Sequence, residues 1–227
     1  MQEKERSSDK IENELIKSIL AGIYSVGSTL PPERELAKEF GVGRPTIREV
    51  LQRLGRSGWI NGRKGMPAVV NDYWRNGNLT TLVNIVENHP IIPDEFILYL
   101  LELRSTLTPT YIRDAVTFNQ AKVVALLANL EQLEDSAENY AAFDWDLQKR
   151  CAGLAVNPIF LLILNSFDSI YIDMAKRYFS VKDYRELSFN YYHDLLKAAL
   201  KGDAMEVERL SMTTMAKSLA LWKDREK

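Results

Sequence analysis

Residues 30–59 read LPPERELAKEFGVGRPTIREVLQRLGRSGW, and this stretch decides the fold. Its first part places apolar side chains at helical spacing, and Gly41-Val42-Gly43 ends that helix. A second helix follows from about residue 44 to 57, with apolar residues in the i, i+3, i+4, i+7 pattern. This order of helix, tight turn and helix predicts a helix-turn-helix. The expected core stripe of the second helix is Ile47, Val50, Leu51 and Leu54.

The flanking sequence completes a small domain around this pair of helices. Upstream, residues 11–23 carry isoleucine and leucine at helical spacing, and Ser8 can cap that helix. Downstream, two short β-prone runs at 58–60 and 67–70 enclose a polar turn that contains glycine, which is typical of a hairpin. Three helices followed by a hairpin predict a winged helix-turn-helix in residues 8–71.

The rest of the chain has the sequence pattern of helices. After a linker at residues 73–78 no alternating strand pattern occurs, and breaks fall at 89–90, 157–158 and 202–203. We therefore predict a mainly α fold: a winged helix-turn-helix domain at 1–72 and an all-α bundle of about seven helices at 79–227. The expected helical segments are 79–88, 93–116, 119–138, 140–155, 158–178, 183–201 and 203–224.

Positive charge is concentrated around the second helix of the helix-turn-helix. The whole chain has a formal net charge of −2, so its total charge does not indicate nucleic-acid binding. Between residues 44 and 65, however, the only acid is Glu49. Because the core stripe occupies one side of the helix, the basic residues are expected to face DNA phosphates, with salt-dependent binding. These basic residues are Arg44, Arg48, Arg53, Arg56, Arg63 and Lys64.

Composition argues against several other classes of protein. The single cysteine, Cys151, excludes an intramolecular disulfide and lies in an apolar stretch, so we expect an inert core thiol. The N-terminus lacks the apolar core of a signal peptide, and the longest apolar run, 159–164, is far shorter than the ~20 residues that span a bilayer. We find no nucleophile elbow and no phosphate-binding glycine loop. We expect a cytoplasmic protein that is not an enzyme.

Residues 30–51 resemble the signature of the GntR family of bacterial transcription regulators, and the match is nearly continuous over 27–70. The resemblance implies that a homodimer binds a palindromic operator, because half-sites one helical turn apart need two copies held at that spacing. Gly43 departs from the usual serine or threonine, which bears on operator preference. Lys64 departs from a histidine of close relatives. The DNA-binding residues that the resemblance implies are Arg34, Arg44, Thr46 and Arg48, with Lys64 and Gly65 of the wing tip in the minor groove.

Members of the family's helical effector-domain branch commonly bind a metal through one aspartate and three histidines. The resemblance places Asp144 at the aspartate position, and His193 falls one residue away from an expected ligand position. The other three positions hold Gln148, Tyr192 and Thr214. One carboxylate with an amide, a phenol and a hydroxyl is a poor donor set for a transition metal. We therefore expect no metal, no cofactor and an ordinary histidine at 193.

The C-terminal half resembles the fatty-acid-responsive members of the family, most closely at residues 157–179. This resemblance implies a cavity for long-chain acyl-CoA, whose binding relieves operator binding. An apolar tunnel with a cation at its mouth suits such a ligand, but composition does not identify it. A regulator that responds to a different organic acid therefore stays an alternative. Met215 replaces a glycine, which is expected to narrow the cavity. The implied ligand-binding residues are Arg104, Tyr178, Tyr192, Ser218 and Trp222.

Overall fold

A computed structural model describes residues 6–62, 66–89 and 93–225. The chain divides into two compact units, residues 1–91 and 92–227. No helix in the described ranges is both long and apolar enough to cross a lipid bilayer. The N-terminal unit contains α1 (Ser7–Leu20), α2 (Glu33–Glu39), α3 (Arg44–Arg56), β1 (Ile60–Asn61), β2 (Val69–Val70), α4 (Tyr73–Asn76) and α5 (Leu79–Asn88). The C-terminal unit contains α6 (Asp94–Leu127), a 3₁₀ turn (Leu130–Gln132), α7 (Ala137–Leu154), α8 (Ile159–Asn165), α9 (Tyr171–Phe179), α10 (Lys182–Lys201) and α11 (Ala204–Asp224).

The N-terminal unit begins with a winged helix-turn-helix, as the sequence predicts. The helix α3 packs on α1 and α2, and the antiparallel pair β1–β2 follows it. Ile47, Val50 and Leu54 of α3 are fully buried. Leu51, expected in the same stripe, is only half-buried and borders an open groove. The helix α3 therefore packs on the core through these three residues, and its other faces lie outside the core.

The helix α5 packs on the helix-turn-helix. Asn78 caps α5 by accepting from the backbone of Thr81, and the Thr81 hydroxyl donates to the carbonyl oxygen of Ser57. Gly58 adopts φ +80°, and a Cβ there would lie 2.2 Å from the Asn76 carbonyl oxygen, so only glycine fits at this crossing. Residues 79–88 are predicted to belong with the C-terminal helices, whereas α5 contacts α1 and the end of α3.

The C-terminal unit is a helical bundle in which α6 packs along α11. The predicted segment 93–116 and the first part of 119–138 form α6, which bends at Asn119 (φ −141°, ψ 38°). The prediction of a helix as far as 138 is wrong, because α6 ends at Leu127 and a 3₁₀ turn precedes α7. The prediction of one helix over 158–178 is wrong, because the chain turns at 166–170 between α8 and α9. Asp168 in this turn accepts hydrogen bonds from Trp145 at 2.9 Å and from Lys149 at 2.6 Å. The apolar periodicity continues through both helices and gives no sign of this anchor on α7.

Cys151 lies in the core of the C-terminal bundle. Its side chain is fully buried, and burial raises the pKa of the thiol to about 12. A thiol with this pKa stays protonated near neutral pH, and the thiolate is the reactive form. The prediction that Cys151 lies in the core is confirmed, and its raised pKa supports the prediction of an inert thiol.

Candidate functional sites

The first candidate site is the outward face of α3. Gly43 caps this helix with extended backbone, and its carbonyl oxygen accepts from the Thr46 amide at 3.0 Å. The side chains of Arg44 and Arg48 lie one turn apart and are more than half exposed. Together with Arg34 of α2, which is also exposed, they line an open groove beside the wing. Thr46 is half-buried at the start of α3.

Glu33, the first residue of α2, lies between the two arginines of this face. The Nε of Arg48 donates to both of its carboxylate oxygens, at 3.1 and 2.9 Å. A terminal nitrogen of Arg44 lies 3.6 Å from the same carboxylate. Glu33 is not among the residues predicted from the sequence, because contacts that join two helices across a turn leave no periodic signal.

Arg53 is an exception among the arginines of α3. Its guanidinium lies 2.9 Å from Asp9 and 2.8 Å from Glu12, both on α1. Burial raises the pKa of Glu12, and Arg53 acts in the opposite direction. The expectation that Arg53 faces DNA phosphates is therefore wrong, because this side chain ties α3 to α1. The wing-tip residues Arg63, Lys64 and Gly65 lie outside the described residues.

The second candidate site is a set of buried polar side chains in the C-terminal unit, here named the Asp144 cluster. The Asp144 carboxylate pairs with Arg104 at 3.0 Å. It accepts from the hydroxyls of Tyr171 at 2.5 Å and Tyr192 at 3.0 Å, and from the Gln148 amide at 3.2 Å. Tyr171 also accepts from Arg104 at 2.6 Å. The members come from α6, α7, α9 and α10, so the cluster joins four helices around one charge pair.

The environment of the cluster shifts the pKa values of its arginine and its two tyrosines upward. Burial raises the pKa of Tyr171 and of Tyr192 well above its ordinary value, so both phenols remain hydrogen-bond donors. Burial alone would lower the pKa of Arg104, but the Asp144 carboxylate and the neighbouring tyrosines together more than offset this effect, so the pKa is raised. The guanidinium therefore remains a permanent cation beside Asp144.

The donor set around Asp144 does not fit a divalent metal. Both oxygens of the carboxylate already bind the Arg104 guanidinium, and a cation beside a cation is unfavourable. Thr214 is buried, but within the described ranges no group of three or more His, Cys, Asp or Glu side chains is placed to hold a metal ion. His193 lies at the surface, with a ring nitrogen 3.1 Å from Glu131.

Three small cavities of about 30, 10 and 30 Å³ surround the Asp144 cluster. Arg104 lines all three, so it lies at their junction. The first and third are lined mainly by apolar side chains of α6 and α9. Ordinary ligand pockets measure about 300–1,000 Å³. A large ligand could therefore enter only if the side chains that separate these cavities moved.

The other residues expected to bind ligand lie close to this junction. The second of the three cavities, of about 10 Å³, is here named the middle cavity. It is lined by Tyr178, Tyr192 and Ser218, and also by Met215. Burial raises the pKa of Tyr178 to about 12, with the Ser218 hydroxyl acting in the opposite direction. Trp222 does not line these three cavities, but its ring centre lies 6.0 Å from that of Tyr178. The fold thus brings together residues that are more than 100 positions apart in the sequence.

Two family models match the chain in succession. Residues 7–70 match the bacterial regulatory proteins of the gntR family, and residues 71–227 match the FadR C-terminal domain. The chain therefore belongs to the gntR family of bacterial regulatory proteins, in the group that carries the FadR C-terminal domain. The resemblance and the mainly α fold class inferred from the sequence are both confirmed.

Curated relatives agree with this assignment, and a solved structure shares the fold. The chain is 37% identical over 211 residues to the "Fatty acid metabolism regulator protein" of Shewanella pealeana, covering 93% of this chain and 88% of the relative. It is 37% identical over 215 residues to the protein of the same name from Shewanella denitrificans, with the same coverage. A solved structure described as "Lar controls the expression of the Listeria monocytogenes agr system and mediates virulence" matches with TM-score 0.64, 18% identity and coverage of 98% and 99%. That likeness shows the fold alone.

Proposed function

We propose that this protein regulates the transcription of fatty acid metabolism genes in the cytoplasm by binding a palindromic operator as a homodimer. One observation carries the DNA-binding part. The apolar side of α3 is buried in its own domain at Ile47, Val50 and Leu54, whereas Arg44 and Arg48 stay exposed. The proposed role requires binding and no catalysis.

The outward face of α3 is the proposed reader of the DNA sequence. An arginine near the start of a recognition helix can bind a guanine edge through two hydrogen bonds, and further basic residues bind phosphates. Two copies related by a two-fold axis would place two such helices one helical turn apart. The residues proposed to contact operator DNA are Arg34, Arg44, Thr46 and Arg48, with Lys64 and Gly65 at the wing tip.

Long-chain acyl-CoA is the proposed effector, and the region around the Asp144 cluster is its proposed site. The support is the junction at Arg104, where a cation borders apolar cavities beside Tyr178, Tyr192 and Ser218, with Trp222 close by. Because these cavities are small, an acyl chain must stabilise a conformation in which they join. A ligand that binds one conformation better than another shifts the population towards it, and operator affinity falls if that conformation binds DNA poorly.

Double substitution of Arg44 and Arg48 by alanine tests the DNA-binding part. Each base contact of this kind contributes ~1–3 kcal/mol of discrimination, so we expect operator affinity to fall by at least about 30-fold. Fluorescence anisotropy with a duplex selected by the protein from a random pool gives the affinity. Arg75→Ala, whose side chain is 86% exposed, is the control for the loss of one positive charge elsewhere on the N-terminal unit. Unchanged operator affinity in the double variant would refute the proposed interface.

A second candidate effector is a smaller organic acid. The observation that favours it is the small size of the three cavities that Arg104 lines, because a short carboxylate could bind this cation with less displacement of side chains than a long acyl chain needs. Thermal-shift measurements with palmitoyl-CoA and with a panel of small carboxylates separate the two, because only a bound ligand stabilises the fold. If saturating palmitoyl-CoA changes neither the melting temperature nor operator binding, the acyl-CoA proposal is wrong.

A further inference from the structure

Glu33 contributes a negative charge to a surface that is otherwise arranged for an anion. Its carboxylate lines the same open groove as Arg34, Arg44 and Arg48. Phosphates repel such a charge, so Glu33 opposes DNA binding of every sequence. The ion pairs that it forms are exposed, with Glu33 at 31% and both arginines above 50%, and pairs of this kind contribute little to stability. Neither affinity nor stability therefore accounts for its contacts.

The geometry of these contacts indicates that Glu33 holds the two arginine side chains in place. Arg44 and Arg48 lie four residues apart on α3, and one carboxylate on α2 reaches both guanidinium groups. The bonds to Arg48 use its Nε, and the described residues make no hydrogen bond to its two terminal nitrogens. Those two nitrogens form the end of the guanidinium fork that reaches a base edge or a phosphate. The contact thus restrains the stem of Arg48 and leaves its recognition end open, whereas Arg44 lies against the same carboxylate through one terminal nitrogen at the longer distance of 3.6 Å.

We propose that Glu33 is a positioning residue that orders Arg44 and Arg48 over the groove before DNA binds and so favours operator over random DNA. A free arginine must lose rotamer freedom when it binds a base, and a side chain ordered in advance loses less. Only a DNA sequence whose base edges match the ordered guanidinium groups benefits from this lower entropy cost. Random DNA, held through phosphates alone, meets only the repulsion of the carboxylate. This inference rests on the proposed role of the two arginines in DNA contact.

Two substitutions separate position from charge. Glu33→Asp keeps the negative charge but withdraws the carboxylate by one methylene, so operator affinity is expected to fall about fivefold while random-duplex affinity stays unchanged. Glu33→Gln removes the charge, so affinity for random duplex is expected to rise, and the ratio of operator to random affinity is expected to fall about fivefold. Glu35→Gln, an exposed residue two positions further along α2, is the matched control for charge. Anisotropy with the selected operator and a scrambled duplex measures both affinities for the full-length chain.

The inference is overturned if Glu33→Asp binds operator like the wild type and Glu33→Gln strengthens both duplexes by the same factor. Thermal melting of each variant checks that the fold is retained. The alanine double variant at Arg44 and Arg48 shows whether the DNA interface or only the role of Glu33 is wrong. If that variant keeps operator affinity, the DNA interface itself is wrong. If it loses affinity while Glu33→Asp does not, only the role of Glu33 is refuted.

Discussion

Arg48 of α3 and Arg104 of α6 each pair with one carboxylate, in opposite surroundings. The Arg48 side chain is 56% exposed and that of its partner Glu33 31%, whereas Arg104 is 17% exposed and Asp144 only 3%. Water screens the first pair, so breaking it costs ~0–1 kcal/mol. Breaking the second leaves an uncompensated buried charge. The two proposed sites therefore differ in kind: the surface of α3 can change without harm to the fold, whereas the Asp144 cluster serves the fold as well as the proposed ligand site.

The largest expected effect is the loss of the carboxylate in the Asp144 cluster. Asp144→Ala leaves the Arg104 guanidinium and two phenols without their shared acceptor, and we expect a loss of about 3–5 kcal/mol in the free energy of unfolding. For a chain of this size that lowers the melting temperature by about 10 °C, which calorimetry measures. Asp146→Ala is the control, because Asp146 is exposed and pairs with Arg150 at the surface. Equal melting temperatures of the two variants would show that the buried Asp144 pair stabilises the fold no more than an exposed pair does.

An intermediate effect is expected at Met215, which is 6% exposed and lines the middle cavity. Met215→Ala removes packed atoms and should cost about 2–4 kcal/mol. The enlarged cavity should also admit an acyl chain more readily, so palmitoyl-CoA is expected to stabilise the variant more than the wild type in a thermal-shift assay. Met212→Ala on the exposed side of the same helix is the control. An equal ligand-induced shift in variant and wild type would exclude this cavity from the proposed ligand site.

The smallest effect is expected at Arg53, the arginine of α3 whose partners lie on α1. Arg53→Ala breaks the pairs with Asp9 and Glu12 that join α3 to α1, and should cost about 1–2 kcal/mol of unfolding free energy. Arg56→Ala, exposed on the same helix, should leave stability within about 0.5 kcal/mol. Operator affinity at a temperature where Arg53→Ala is folded should change far less than in Arg44→Ala. If Arg53→Ala loses more operator affinity than Arg44→Ala, Arg53 contacts DNA and the prediction is wrong.

The N-terminal prediction came close to the structure because its evidence is local. The buried positions of α3 repeat within a few turns, so periodicity identified three of the four expected stripe residues correctly. Leu51 differs because it borders the open groove that residues of the wing also line. Arg53 differs because its partners belong to α1, more than 40 positions away, and periodicity does not report which neighbouring helix supplies a charge.

The C-terminal site depended far less on local pattern. The sequence by itself determined a helical chain, the absence of metal-ligand histidines at the family positions, and an arginine at 104. Only the tertiary structure decided that Arg104 and Asp144, 40 residues apart, form one buried pair, that Tyr171 donates to it, and that three cavities meet there. The physical reason is that periodicity records which side of a helix avoids water. The identity of a buried charge's partner depends on how α6, α7, α9 and α10 pack, which no stretch of sequence contains.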